Sequence, residues 1–294
     1  MKLKSVVFLL FWILVVSISV SRDKDEYHKR FVENFNKSES KYFELRLRES
    51  GADNRFFQGI NSKSESGTTT MVLRLDPNDP AGPRHGPEII SRKFTHFGVY
   101  SARLKIPDAT IIQPDVGAVV GYFTYHLDPI VGLSEIDFEW LLADPAIINI
   151  GTWTGGDDKL LRVGRSINLA KGIIYSTHLK YNDIFHPISG ALNKPETIQP
   201  IENFNAASQF HIYGFDWYPD RIRWWLIHPV TADTVTLWDY SGSTVGIPQR
   251  RSLYRANIWH TNNWAVETRP NSTERPRHPF ELEIDWMSYT PHRR

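Results

Sequence analysis

Cysteine is absent from the 294-residue chain. That excludes disulfides, thiolate metal sites and cysteine nucleophiles. Export stays open, because a domain of this length buries a core that needs no cross-links. Charge of one sign is also lacking: 34 Lys and Arg stand against 33 Asp and Glu, a formal net charge of +1. The basic residues are scattered and form no block, so no nucleic-acid partner is expected. His85, His96, His126 and His260 show no His-Glu-x-x-His spacing. They are expected in polar or packing roles rather than on a metal. Neither a Gly-x-Ser-x-Gly elbow nor a phosphate-cradling glycine loop is present.

Long apolar runs are confined to the N-terminus. Lys2 and Lys4 precede the run Val6–Val20, small residues follow at Ser19-Val20-Ser21, and charge resumes at Arg22. Positive, apolar, then small is the order of a signal peptide. The run is about 15 residues, short of the ~20 that a membrane span needs. Residues 1–21 are therefore expected to be a leader, 22–41 a polar N-terminal segment and 42–290 one domain. The protein is expected outside the cell or in a cell wall, monomeric, and free of the membrane once the leader is cleaved. Asn36-Lys37-Ser38 and Asn271-Ser272-Thr273 are glycosylation triplets in a host that uses them.

What the chain does have is aromatics, 13% of residues with ten Trp, and short alternating runs. Flat apolar rings fill a large β-core and also suit the CH-rich faces of sugars. Met71–Leu75 stops at the turn cluster Asp76-Pro77-Asn78-Asp79-Pro80. Phe97–Ile106 alternates, and Gly117–Tyr125 is apolar almost throughout, as in a strand buried on both faces. His211–Trp217, the turn Tyr218-Pro219-Asp220-Arg221 and Ile222–Ile227 read as a hairpin, and Phe280–Trp286 as a closing strand. No long segment has a 3.6-residue period. An all-β sandwich or barrel is expected.

Chemistry concentrates at Glu135-Ile136-Asp137-Phe138-Glu139. On a strand the three acids share one face and Ile136, Phe138 and Trp140 the other. In a cleft, such a row is costly unless one member stays protonated. Glycoside cleavage uses that combination: one carboxylate attacks the anomeric carbon and a protonated partner serves the leaving oxygen. Strand rise puts the outer two Cα atoms about 13 Å apart, so the side chains must lean together. Spacing alone does not identify the site, because Glu281, Glu283 and Asp285 repeat it. An exposed amphipathic strand, or a calcium site, fits the same spacing.

The neighbourhood separates the two acidic strands. Glu135–Glu139 resembles the signature of glycoside hydrolase family 16, the family of lichenases, laminarinases and xyloglucan transglycosylases. Gly117–Tyr125, Phe97–Tyr100, the hairpin His211–Trp217 with Arg221–Trp225, Asn257-Ile258-Trp259, Asn263-Trp264-Ala265 and Phe280–Tyr289 resemble its flanking motifs in consistent order. The resemblance implies a jelly-roll sandwich of two curved antiparallel sheets with the substrate in a concave cleft. It makes Glu135 the nucleophile, Asp137 its assistant and Glu139 the acid/base of a retaining reaction, and it makes Glu281–Asp285 structural. Asn149, Trp153, Asn257, Trp259 and Trp264 would meet the sugar, with Phe123 and Tyr125 as weaker candidates. Trp140 belongs in the core, and at most one of Trp224 and Trp225 can face the cleft. No cofactor is implied, and a calcium ion on the convex face is allowed by analogy with the family. The expected partner is a polysaccharide, cut by an endo-acting β-glucan hydrolase. The alternatives are a transglycosylase, a lectin-like binding protein and a wall-associated structural protein. Four departures bear on the substrate: a long connection Asp108–Asp115, Ile227–Asp233 in place of an Asp-Gly turn, Gly151 where a substrate-binding Asn is expected, and no counterpart of the cysteine-bearing C-terminal extension of plant xyloglucan enzymes.

Overall fold

The computed structural model describes residues 26–37, 39–46, 69–78, 86–156, 159–241 and 245–293. The leader, His85, Ser38 of the first glycosylation triplet and the end of the turn cluster at Asp79-Pro80 lie outside the described residues. Within them are sixteen strands and one 3₁₀ turn, Gly190–Asn193.

The strands form two antiparallel sheets. The first runs in the order β1 (Phe31–Glu33), β16 (Phe280–Pro291), β5 (Gly98–Lys105), β12 (His211–Tyr218), β13 (Arg221–Ile227) and β14 (Thr234–Ser241), with β3 (Met71–Leu75) also on β16. The second runs β11 (Ile184–Pro187), β10 (Ile173–Tyr181), β9 (Leu161–Asn168), β8 (Ile147–Gly155), β7 (Gly132–Leu141), β6 (Ala118–Asp128), β15 (Leu253–His260), β4 (Glu88–Ser91) and β2 (Phe43–Arg46). Sequence neighbours pair as hairpins, while β16 inserts beside β5 and β15 beside β6. This is the jelly-roll sandwich.

The two sheets meet over an aromatic core. Phe138 and Trp140 of the second sheet pack on Tyr213 of the first, with ring centroids 5.7 Å and 4.8 Å apart. Tyr100 stacks on Phe215 at 4.6 Å, and Trp224 on Trp238 at 5.2 Å. Strand β5 alternates buried and half-buried along its length, as its period-2 pattern predicts. Residues Ala118–Thr124 of β6 are all buried. The polar segment before residue 42 enters the fold as well: Phe31 and Val32 pair with Tyr289 and Ser288, and Phe31 and Phe35 are buried.

Three of the four histidines singled out in the sequence, His96, His126 and His260, take packing positions. His260 Nδ1 lies 2.6 Å from the Gly117 carbonyl, His96 stacks on Phe97 and His126 sits edge-on to Phe94. Trp224 is a core residue, whereas Trp225 is half-buried on the outside of the first sheet, donating to Asp216 Oδ1 at 3.1 Å. Neither faces the cleft.

Candidate active site

Strand β7 lies mid-sheet, between β6 and β8. Alternation puts Ile136, Phe138 and Trp140 in the core at 0% exposure and turns Glu135, Asp137 and Glu139 to the opposite face. Register then sets the neighbours. Glu135 lies between Tyr125 and Trp153, Asp137 between Phe123 and Gly151, and Glu139 between Gly121 and Asn149. One strand further out, Asn257 lies beside Gly121, Arg162 beside Trp153 and Ser166 beside Asn149.

Two cavities open on this face and meet at the acidic row. One, of about 320 Å³, is lined by all three carboxylates with Phe123, Tyr125, Asn257 and Trp259. The other, of about 220 Å³, is lined by Asp137 and Glu139 with Asn149, Trp153 and Trp264. All ten residues expected from the sequence therefore line one groove. Trp259 and Trp264 pack on a small apolar cluster of Val119, Leu141, Ala143, Ile147 and Val266 at its margin.

Two glycines shape the floor. A Cβ at Gly121 would sit 2.6 Å from Asn257 Oδ1, so glycine leaves room for that amide. A Cβ at Gly151 would sit 2.5 Å from the Val163 carbonyl oxygen. The close approach of β9 thus bars an asparagine at Gly151. The amide in the groove comes from Asn149, two residues earlier on the same face. Asn149 Nδ2 and Asn257 Oδ1 are buried without a protein partner, as is Ser166 Oγ. Buried polar atoms are rarely left so unless a ligand or water completes them.

Sequence reading did not single out Glu88, Arg255 or Arg162. Glu88 is 2% exposed, accepts from Arg255 Nη1 at 2.8 Å and takes a 3.2 Å hydrogen bond from Asn257 Nδ2. Arg255 stacks over Tyr125 at 4.9 Å. The Arg162 guanidinium lies 5.0 Å from the Trp153 ring centroid and 5.6 Å from that of Trp264. Each belongs to the groove only through register across β15, β4 and β9, which no local motif records.

Burial and charge act together on the acids. Asp137 is 5% exposed, and Glu135 and Glu139 are half-buried. Burial, reinforced by the Glu139 charge, pushes Glu135 up to about 8, while its hydrogen bond from Asp137 and the charges of Arg255 and Arg162 oppose the rise. Burial and the two flanking glutamates drive Asp137 well above the carboxylate range. Burial raises Glu139 to about 7 against the pull of Arg162. At each position burial outweighs neighbouring charge as the cause. The row titrates as a unit, with protons shared among its members. Asp137 donates to Glu135, an interaction that raises Asp137 and lowers Glu135. From across the core, Trp224 Nε1 donates to the Asp137 backbone oxygen at 3.1 Å and fixes the strand beneath the row.

A jelly roll with proton-holding carboxylates along its groove has the equipment of an enzyme that cleaves glycosidic bonds, a glycoside hydrolase. The model of glycosyl hydrolases family 16 matches residues 176–288, from within β10 to near the end of β16. A beta-glucanase of Paenibacillus polymyxa is 25% identical over 229 residues, 76% of this chain and 72% of its own length. One from Bacillus amyloliquefaciens is 24% identical over 195 residues, 66% of this chain and 59% of its own. Among solved structures, a prokaryotic β-1,3-1,4-glucanase from a mouse hindgut metagenome superposes with a TM-score of 0.55 at 19% identity, covering 90% of this chain and 100% of that one. The Crh5 transglycosylase superposes at 0.52 with 12% identity over 90% of this chain and 85% of its own. Both structures share the fold.

Proposed function

We propose that the protein is a secreted, retaining endo-β-glucanase acting by double displacement. The observation that carries the reading is the row Glu135, Asp137, Glu139 on the floor of a groove with cavity on both sides. A β-glucan chain laid across the strands would place its scissile bond over the row with sugars on either side. The names of the related beta-glucanases support the choice of polymer.

In the first step a Glu135 carboxylate oxygen bonds to the anomeric carbon as the glycosidic C–O bond breaks. Glu139 passes its proton to the departing oxygen. In the second step Glu139, now a carboxylate, takes a proton from water. The resulting hydroxide oxygen bonds to the anomeric carbon from the opposite side and Glu135 leaves. Two inversions restore the configuration. Asp137 holds its proton and donates a hydrogen bond to Glu135, which lowers Glu135 against the burial that raises it, so attack uses the ionised fraction of Glu135. The burial that raises Glu139 suits a group that must begin the cycle protonated. Asn149 and Asn257 offer unpaired amide atoms to sugar hydroxyls, and Trp153, Trp259 and Trp264 offer ring faces.

Reducing-end release from β-1,3-glucan, β-1,3-1,4-glucan, xyloglucan and galactan, with Glu135→Gln run in parallel, tests the reading. Release from a glucan that vanishes in the variant is the expected outcome. Elongated acceptor oligosaccharides without net release would make the chain a transglycosylase. Binding without turnover in both proteins would make it a lectin.

A further inference from the structure

The groove does not end at Trp153. Register carries its floor outward in one row: Glu135, Trp153, Arg162, Lys180 and Phe185 are successive cross-strand partners on β7, β8, β9, β10 and β11. Partners in register point to the same face. Phe185 is 56% exposed, yet it lines the same cavity as Asp137 and Glu139. Four strand spacings, about 19 Å, separate its strand from β7. The ring is held in place by His178, edge-on at 4.7 Å, and by Lys180 Nζ, 5.3 Å from its centroid. Gly164 makes room for that histidine, since a Cβ there would sit 3.3 Å from the imidazole. Between Phe185 and the acidic row, Ser166 Oγ and His178 Nε2 are buried with no partner in the protein, and both residues line the cavity.

We propose that the β10–β11 ribbon is a distal sugar-binding subsite, in which Phe185 stacks on a sugar ring several residues from the cleavage point while Ser166 and His178 take its neighbours' hydroxyls. The inference rests on the β-glucanase reading and deepens it. It makes long glucan chains the preferred substrate, held at two separated places on one groove. A flat aromatic exposed to water gains by covering an apolar sugar face. The occupant is the far end of the chain already bound over the carboxylates, because the cavity joins the two places without a break.

Binding separates the subsite from catalysis. Glu135→Gln protein is titrated calorimetrically with β-1,3 and β-1,3-1,4 gluco-oligosaccharides of increasing length, alone and combined with Phe185→Leu, Phe185→Ala or Phe185→Trp. The quantity read is the ratio of affinity for long over short oligosaccharides within each protein. That ratio is expected to fall about tenfold in the Leu and Ala variants and to persist in the Trp variant. Phe185→Leu keeps an apolar side chain on the edge strand, so the test does not depend on the alanine variant folding. Equal ratios in all proteins would overturn the subsite while leaving the carboxylate row untouched. Binding of no oligosaccharide at any length would overturn the glucan reading itself, and the subsite with it.

Discussion

Glu281, Glu283 and Asp285 each lie beside a cation: Arg74 at 2.7 Å, Lys105 at 3.3 Å and Arg103 at 2.6 Å. They are the polar side of β16, neutralised one for one. Glu135, Asp137 and Glu139 share the field of Arg162, with Arg255 acting on Glu135 as well, and are raised instead. The same spacing thus gives an outer face on one strand and a proton store on the other. Glu139→Gln is expected to lower kcat on the cleaved glucan by about 10²–10⁴-fold, the usual contribution of a positioned acid/base. Glu283→Gln should leave kcat within about twofold, since surface substitutions are near neutral. Steady-state hydrolysis rates of both variants, on protein whose fold is checked by melting, decide it. Residue types and spacing made the acidic row readable as a candidate. What distinguished it from Glu281–Asp285 was the surrounding motif, because the cations Arg74, Lys105 and Arg103 are distant in sequence or on other strands.

At the scale of elements, alternation made β5, β6 and the β12–β13 hairpin legible, since each buries one or both faces along an unbroken run. The β10–β11 ribbon was not legible. Ile173–Tyr181 mixes apolar and polar residues on both faces because it is mostly half-buried, and all four residues of β11 are exposed. A hidden tie anchors the neighbouring strand. Arg165 of β9 is 1% exposed and reaches the first sheet, donating from Nη1 to the Leu237 and Pro195 carbonyls at 2.9 Å and 3.0 Å and from Nη2 to Asn193 Oδ1 at 2.5 Å. Its guanidinium also lies 4.9 Å from the Trp238 ring centroid. Arg165→Met keeps the stem and leaves those acceptors buried and unpaired. A loss of about 2–4 kcal/mol is expected, at roughly 1 kcal/mol per bond with some added desolvation penalty. Urea denaturation with an unchanged m-value would show it. A variant as stable as the parent would mean that water replaces the guanidinium.

For the molecule as a whole, a site that holds protons sets the pH dependence of stability. Glu135 and Glu139 are raised from 4.5 to about 8 and about 7, and Asp137 is raised as well. Between about pH 4.5 and 8 the folded state therefore binds more protons at this row than the unfolded chain does. The derivative of unfolding free energy with pH is proportional to unfolded minus folded proton number, so the row's contribution is negative across that window. The row is tolerated below pH 4.5, where both states are protonated. It becomes progressively destabilising as pH rises through the folded values. A neutral amide removes the penalty, so Glu135→Gln should melt higher than the parent at pH 8, by roughly 2–4 °C for each kcal/mol relieved. At pH 4 the two should melt together. The comparison isolates the row, because every other titrating group is common to both proteins. A melting difference of equal size at pH 4 and pH 8 would trace the gain to packing of the amide. A difference that opens only as pH rises would show that the fold gives up stability to keep three carboxyl groups together in the groove.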